Sequence, residues 1–149
     1  MTRFYDIDEA NEAIPEVERI LLALRDQRAE LIRLRDALLQ TASPDREGPG
    51  ARPVPGSPSG SGDAGSAGGD PRLLRLRMQG LIDQMQAGVT QLVERDIQLR
   101  AIETGLIDFP ALATGRQIWL CWRLGEGRID WWHELDEGFG GRRRLADLT

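Results

Sequence analysis

Lysine is missing altogether from this chain: all 19 basic residues among its 149 are arginine. We read this as compositional bias before any sign of function, although arginine is also the better bidentate partner for anions. Acidic residues number 24, so the formal charge is -5 and the pI near 5.0. That balance argues against a protein built to cover nucleic-acid phosphates or an anionic membrane, since both require a net cationic face. There is one cysteine, Cys121, so no internal disulfide can form and nothing calls for an oxidising compartment. No run approaches the roughly 18 apolar residues of a membrane span. The acidic start MTRFYDIDEANEAIPEVER also lacks the apolar core of a secretion signal. A cytoplasmic protein without nucleic-acid or membrane partners is expected.

Aromatic residues are scarce too, at 5%, but they are not scattered. All four tryptophans, the cysteine and the single histidine lie between Gly105 and Arg142, among many glycines. The rest of the chain reads as helix or solvated linker. The length suits one structural domain with a modest core. It divides into an N-terminal helical arm (1–42), a Gly/Ser/Pro linker expected to be disordered (43–70), and a second helix with a β part (71–149).

Asp6 and Asp8 are candidate N-caps, followed by carboxylates suited to the positive end of a helix. Pro15 predicts a short helix ending near Ala13, or a kink. From Pro15 to about Gln40, Val17, Leu24, Leu31 and Leu38 recur every seven residues, with Ile20 and Leu34 on a second line. This predicts an amphipathic helix with a coiled-coil-like seam. Asp70 and Pro71 open a second helix expected to reach about Glu103, its seam carried by Met78, Met85, Leu92 and Leu99. Gly88 is the place for close approach by the partner helix. Thr104-Gly105 is expected to stop the helix. A two-helix arrangement cannot enclose its own seams, so self-association, most simply as a dimer, follows as an expectation.

After Gly105 the apolar period changes from seven to two. Leu106 to Phe109 reads as a short strand ended by Pro110, Ala111 to Gly115 as a loop, and Gln117 to Arg123 with Arg128 to Glu134 as a hairpin around Gly125-Glu126-Gly127. A two-residue turn at Gly125-Glu126 would pair Leu120 with Trp131 and Ile118 with His133. A three-residue loop would group Cys121 with Trp131 and His133 instead. The first register gathers more apolar residues on one face and is preferred. The predicted fold is therefore mainly α with a small β part (α+β): a long antiparallel helical hairpin capped by a C-terminal three-stranded antiparallel β-meander.

The blocks EANEAIP (9–15), GLIDFP (105–110), LCWRLGE (120–126) and WHELDEGFGGR (132–142) resemble the bacterial family known as domain of unknown function 2203. The match runs through Glu9, Ala10, Asn11, Pro15, Asp108, Phe109, Pro110, Cys121, Trp122, Gly125, Glu126, Trp132, His133, Glu134, Gly138 and Arg142. The resemblance implies a shared fold and site and names no reaction. The long Gly/Ser/Pro insertion departs from the pattern.

No catalytic constellation is recognisable. In the preferred register His133 lies on the face opposite Cys121. That counts against a cysteine nucleophile with a histidine base and against a Cys121/His133 zinc pair. His133 and Glu134, near Asp136, Glu137 and Glu126 and with Glu9, Asn11 or Glu12 folded back beside them, could hold Mn²⁺, Fe²⁺ or Zn²⁺. A structural histidine is the plainer reading. Gly138 to Arg144 could wrap an anion but lacks the surroundings of a phosphate loop. Trp119 and Trp132 could form an aromatic platform for a protein or small-molecule partner. Two functions result. One is an accessory or interaction protein that self-associates and presents Trp119, Trp132 and the turn to Arg142. The other is a small-ligand or metal-dependent enzyme with its site among Glu9, Asn11, Glu126, His133, Glu134 and Arg142. No cofactor is specified.

Overall fold

The first helix begins as its acidic opening predicts. In the computed structural model, which describes residues 2–41 and 69–148, α1 spans Ile7–Thr41. The Glu9 amide donates to Asp6 Oδ1 at 2.7 Å and the Asp6 amide to Glu9 Oε1 at 3.5 Å, a reciprocal capping box. The expected break at Pro15 does not occur: the helix runs on through it. Proline inside a helix costs about 3 kcal/mol. The following turns bury Val17, Ile20, Leu21 and Leu24, each at 2% exposure or less. At about 1.5–3 kcal/mol per buried apolar side chain, that packing outweighs the proline.

The second helix, α2, spans Pro71–Glu94 with Asp70 as cap, its Oδ1 accepting from the Arg72 amide at 3.0 Å. It stops nine residues short of Glu103. Asp96 takes a positive φ of 59°, and the amides of Asp96 and Ile97 fold back on the carbonyls of Val93 and Leu92. This is a Schellman ending built on aspartate where glycine is usual, which is why the sequence conceals it. The expected linker lies outside the described residues, apart from Gly69 and Asp70. No helix among the described residues is long and apolar enough to cross a membrane.

The early stop frees Gln98–Ala101 to form β1, and the sheet has five strands in place of the expected three. β2 is Leu106–Ala113, β3 Arg116–Arg123, β4 Trp131–His133 and β5 Arg143–Arg144, arranged in chain order with every neighbour antiparallel. The class is α+β, built from two helices and a five-stranded antiparallel sheet. Gly105, expected to end the helix, sits between β1 and β2 with φ +65°. A side chain there would also meet Leu124 Cβ at 2.7 Å, so both backbone and space demand glycine. Pro110 does not end β2. Its missing amide falls on the side where β1 has finished, and there its carbonyl accepts from the Tyr5 amide at 2.8 Å.

Contacts group the residues into two compact units. In the first, Met1–Arg28 with Gln84–Thr149, the sheet's inner face (Ile107, Phe109, Ala111, Ile118, Leu120, Trp122, Trp132) joins one buried cluster with Ile14, Val17, Leu21 and Leu24 of α1. Gly88 admits Leu24: a Cβ on it would lie 3.0 Å from Leu24 Cδ2, so the glycine permits the close approach expected of it. In the second unit, Ala29–Asp83, only Leu34 and Leu74 are buried among the described residues.

The β3–β4 register is the main correction. Trp119 faces His133, Leu120 faces Trp132 and Cys121 faces Trp131, one residue away from the expected pairing. The connection is longer than a two-residue turn because side chains satisfy its backbone. Trp122 Nε1 donates to the Gly127 carbonyl at 2.9 Å, Glu126 Oε1 accepts from the Arg123 amide at 2.6 Å, and Asn11 Oδ1 accepts from the Ile129 amide at 2.8 Å. Residues 128–130 are thereby taken out of the ladder, and the slip moves every side chain of β4 to the other face. Trp132 enters the core and His133 goes outward.

Candidate functional site

Alternation along β2, β3 and β4 directs Asp108, Cys121 and His133 to the sheet's outer face, yet all three are buried, at 1–2% exposure. Their ligating atoms lie within 4.8 Å of one another. His133 Nδ1 is 2.8 Å from the Glu134 carbonyl oxygen and Nε2 is 3.0 Å from Asp108 Oδ1. The other Asp108 oxygen accepts from Arg100 Nε at 2.8 Å. Arg100 owes its position to β1, where the pairing shifts between Leu99 and Ala101. Its guanidinium also lies over Trp119, 5.1 Å from the ring centre. Over the cluster is a cavity of about 340 Å³, walled by Leu106, Leu135, Gly138 and Phe139.

Burial, and secondly the negative charge of Asp108, push the Cys121 thiol from 9.0 up to about 12, against the opposing pull of Arg142. The thiol therefore stays protonated near neutrality and is no ready nucleophile. The folded state holds this proton more tightly than the unfolded chain does, so its contribution to stability is complete below pH 9.0 and is lost as pH climbs towards about 12. Urea unfolding of the wild type in EDTA should show stability falling across that window, and Cys121→Ala should flatten the slope. An unchanged slope in the variant would mean that the thiol does not titrate this way.

The residues expected to form a site are mostly spoken for elsewhere. Glu9 caps α1 and Asn11 holds the β3–β4 connection. Glu126 accepts from Arg142 Nη2 at 2.6 and 2.8 Å, and Glu134 pairs with Arg116. Among the described residues no hydrogen bond joins these side chains to His133. Trp132 is 4% exposed, on the core side, so it is not the surface platform expected beside Trp119. Arginines also occupy the aromatic faces: Arg142 and Arg144 lie 4.8 and 5.0 Å from the Trp131 ring centre. The residue that sequence reasoning passed over is Asp108. Its signal was a lone carboxylate inside an apolar strand, where burial requires a partner.

Fold and cluster together define an α+β protein that keeps a carboxylate, a thiol and an imidazole buried on the outer face of a β-meander. The chain belongs to the family described as "Uncharacterized conserved protein (DUF2203)", whose model matches residues 3–145. The resemblance carried by its sequence blocks therefore holds. No curated protein and no solved structure matches the chain.

Proposed function

We propose that the protein is an accessory protein that self-associates through the apolar surface of its Ala29–Asp83 unit. One observation carries this reading: Leu39, Leu73 and Leu76 are 61%, 58% and 69% exposed there. The seam residues Leu31, Leu38, Met78 and Leu81 are only half-buried as well. Among the described residues of this unit two helical segments offer no third layer to cover such side chains, and a second copy of the same surface is the simplest cover. A stable interface of ordinary size buries about 1,600 Å² in total, within reach of two helical faces. Light scattering coupled to gel filtration should give a dimer for the wild type and a monomer of unchanged helicity for Leu73→Glu/Leu76→Glu. A wild type that stays monomeric at its highest soluble concentration would overturn the reading.

A second reading, binding of a small ligand or ion, is favoured by the cavity over Asp108, Cys121 and His133. It differs from the expected site in its residues, since Asp108 and Cys121 replace Glu126, Glu134 and the N-terminal corner.

A further inference from the structure

A carbonyl oxygen can only accept, so the Nδ1 atom of His133, at 2.8 Å from the Glu134 carbonyl, carries the hydrogen. That leaves Nε2 with its lone pair directed at Asp108 Oδ1, 3.0 Å away. An imidazole lone pair and a carboxylate oxygen in contact, both buried, repel unless something positive lies between them. A proton can fill that role, and so can a metal ion. The third atom of the group is Cys121 Sγ, a soft donor with no use in a histidine–aspartate hydrogen bond but a strong one for a transition metal.

We propose that Asp108, Cys121 and His133 are the three protein ligands of a divalent transition-metal site of the zinc type, with a fourth position open to the cavity beside them. The donor set of one thiolate, one imidazole and one carboxylate suits Zn²⁺, which takes sulfur, nitrogen and oxygen in a tetrahedron. Zinc bonds of about 2.0–2.3 Å place tetrahedral ligand atoms roughly 3.3–3.8 Å apart. The three donor atoms lie within 4.8 Å of one another, so small side-chain movements bring them to that spacing. The outer hydrogen bonds are those of a metal site. His133 gives its other N–H to a backbone carbonyl, which orients the ring and directs Nε2 inward, while Arg100 holds the far oxygen of Asp108 and turns Oδ1 toward the group. Three protein ligands on adjacent strands leave one side uncovered, and that side carries the cavity of about 340 Å³. Water or a small anion would complete the shell there. Binding displaces the thiol proton to solvent, and the resulting thiolate together with the Asp108 carboxylate neutralises the two positive charges of Zn²⁺.

All three ligands come from one chain. The site is tested on the full chain, stripped with EDTA and titrated with Co²⁺ and then Zn²⁺. Equimolar Co²⁺ should produce a near-ultraviolet thiolate-to-cobalt charge-transfer band and the strong visible bands of four-coordinate cobalt, both abolished by Zn²⁺. Azide should shift the visible bands, because it reaches the open position. Cys121→Ser, close in size, should stay folded by circular dichroism, lose the charge-transfer band and bind Zn²⁺ at least tenfold more weakly. His133→Gln should weaken binding to a similar degree. Absence of the thiolate band in folded wild type would overturn the proposal without any variant. So would equal Zn²⁺ affinity in wild type and Cys121→Ser, since the metal would then sit elsewhere.

Discussion

Trp122→Ala is expected to cost about 3–5 kcal/mol of folding stability, the range for removing a large aromatic side chain from a core. Trp122 is 1% exposed on the sheet's inner face, opposite Ile107 and within the cluster that includes Val17 and Leu21. Its indole does two things. The rings fill the space between sheet and helix, and Nε1 donates to the Gly127 carbonyl at 2.9 Å, which holds the β3–β4 connection. Alanine removes both, leaving a cavity and an unmet carbonyl. Total stability for a domain is about 5–15 kcal/mol, so the variant should sit near the edge of folding. Trp122→Phe separates the two roles, because it keeps most of the volume and loses only the hydrogen bond, for about 1 kcal/mol plus repacking. Urea or thermal denaturation measures both. A Trp122→Ala loss below about 1 kcal/mol would show that the inner face is not packed as described.

The second large effect is expected at Glu126. Arg142 is 9% exposed at its side chain and Glu126 16%, and both Glu126 oxygens accept from Arg142 Nη2. Glu126 Oε1 also receives the Arg123 amide. Replacing Glu126 with alanine strands a largely buried guanidinium, whose nearest compensation is the Trp131 and Phe139 rings at 4.8 and 4.6 Å. Breaking one side of a buried pair costs about 3–5 kcal/mol. Replacing both, as Glu126→Ala with Arg142→Met, removes the stranded charge as well, so the double variant should be more stable than the sum of the singles predicts, by about 1–3 kcal/mol. Additive losses in that cycle would mean that the two side chains do not depend on each other. The pair matters to the cavity because Arg142 closes the turn that carries Phe139 over the outer face.

Sequence and structure agree at the helix starts, where the signal lies within one turn, and disagree at the hairpin register, which depends on distant partners. The capping box of Asp6 and Glu9 and the Asp70 cap with Pro71 at the first helical position depend on residues within one turn, so their chemistry is legible directly. Gly88 was legible for a related reason: a residue without a side chain in the middle of an apolar helix face has few uses besides close packing. The end of α2 was hidden because Asp96 adopts the left-handed conformation that glycine usually supplies. With that stop unseen, Leu99 looked like one more heptad position, while it is a strand residue facing Ile107.

The candidate site was half legible. His133, Glu134, Glu126 and Arg142 stand out as polar residues in short blocks, yet only Glu126 and Arg142 bind each other, while the Glu134 carboxylate pairs with Arg116 and the His133 ring with Asp108. Asp108 does not stand out as a site residue, because an acid between Ile107 and Phe109 reads as the solvated side of an alternating strand. Turn composition also could not decide between two hairpin registers one residue apart. The outcome hung on Asn11, more than a hundred residues away, accepting the Ile129 amide.

The amino-acid sequence by itself determined the α+β class, both helix starts and the family, because each rests on periodicity or on neighbouring residues. Only the tertiary structure decided the fifth strand count, the register and the meeting of Asp108, Cys121 and His133. Those three sit on separate strands, and a single residue of slip carries His133 from one face of the sheet to the other.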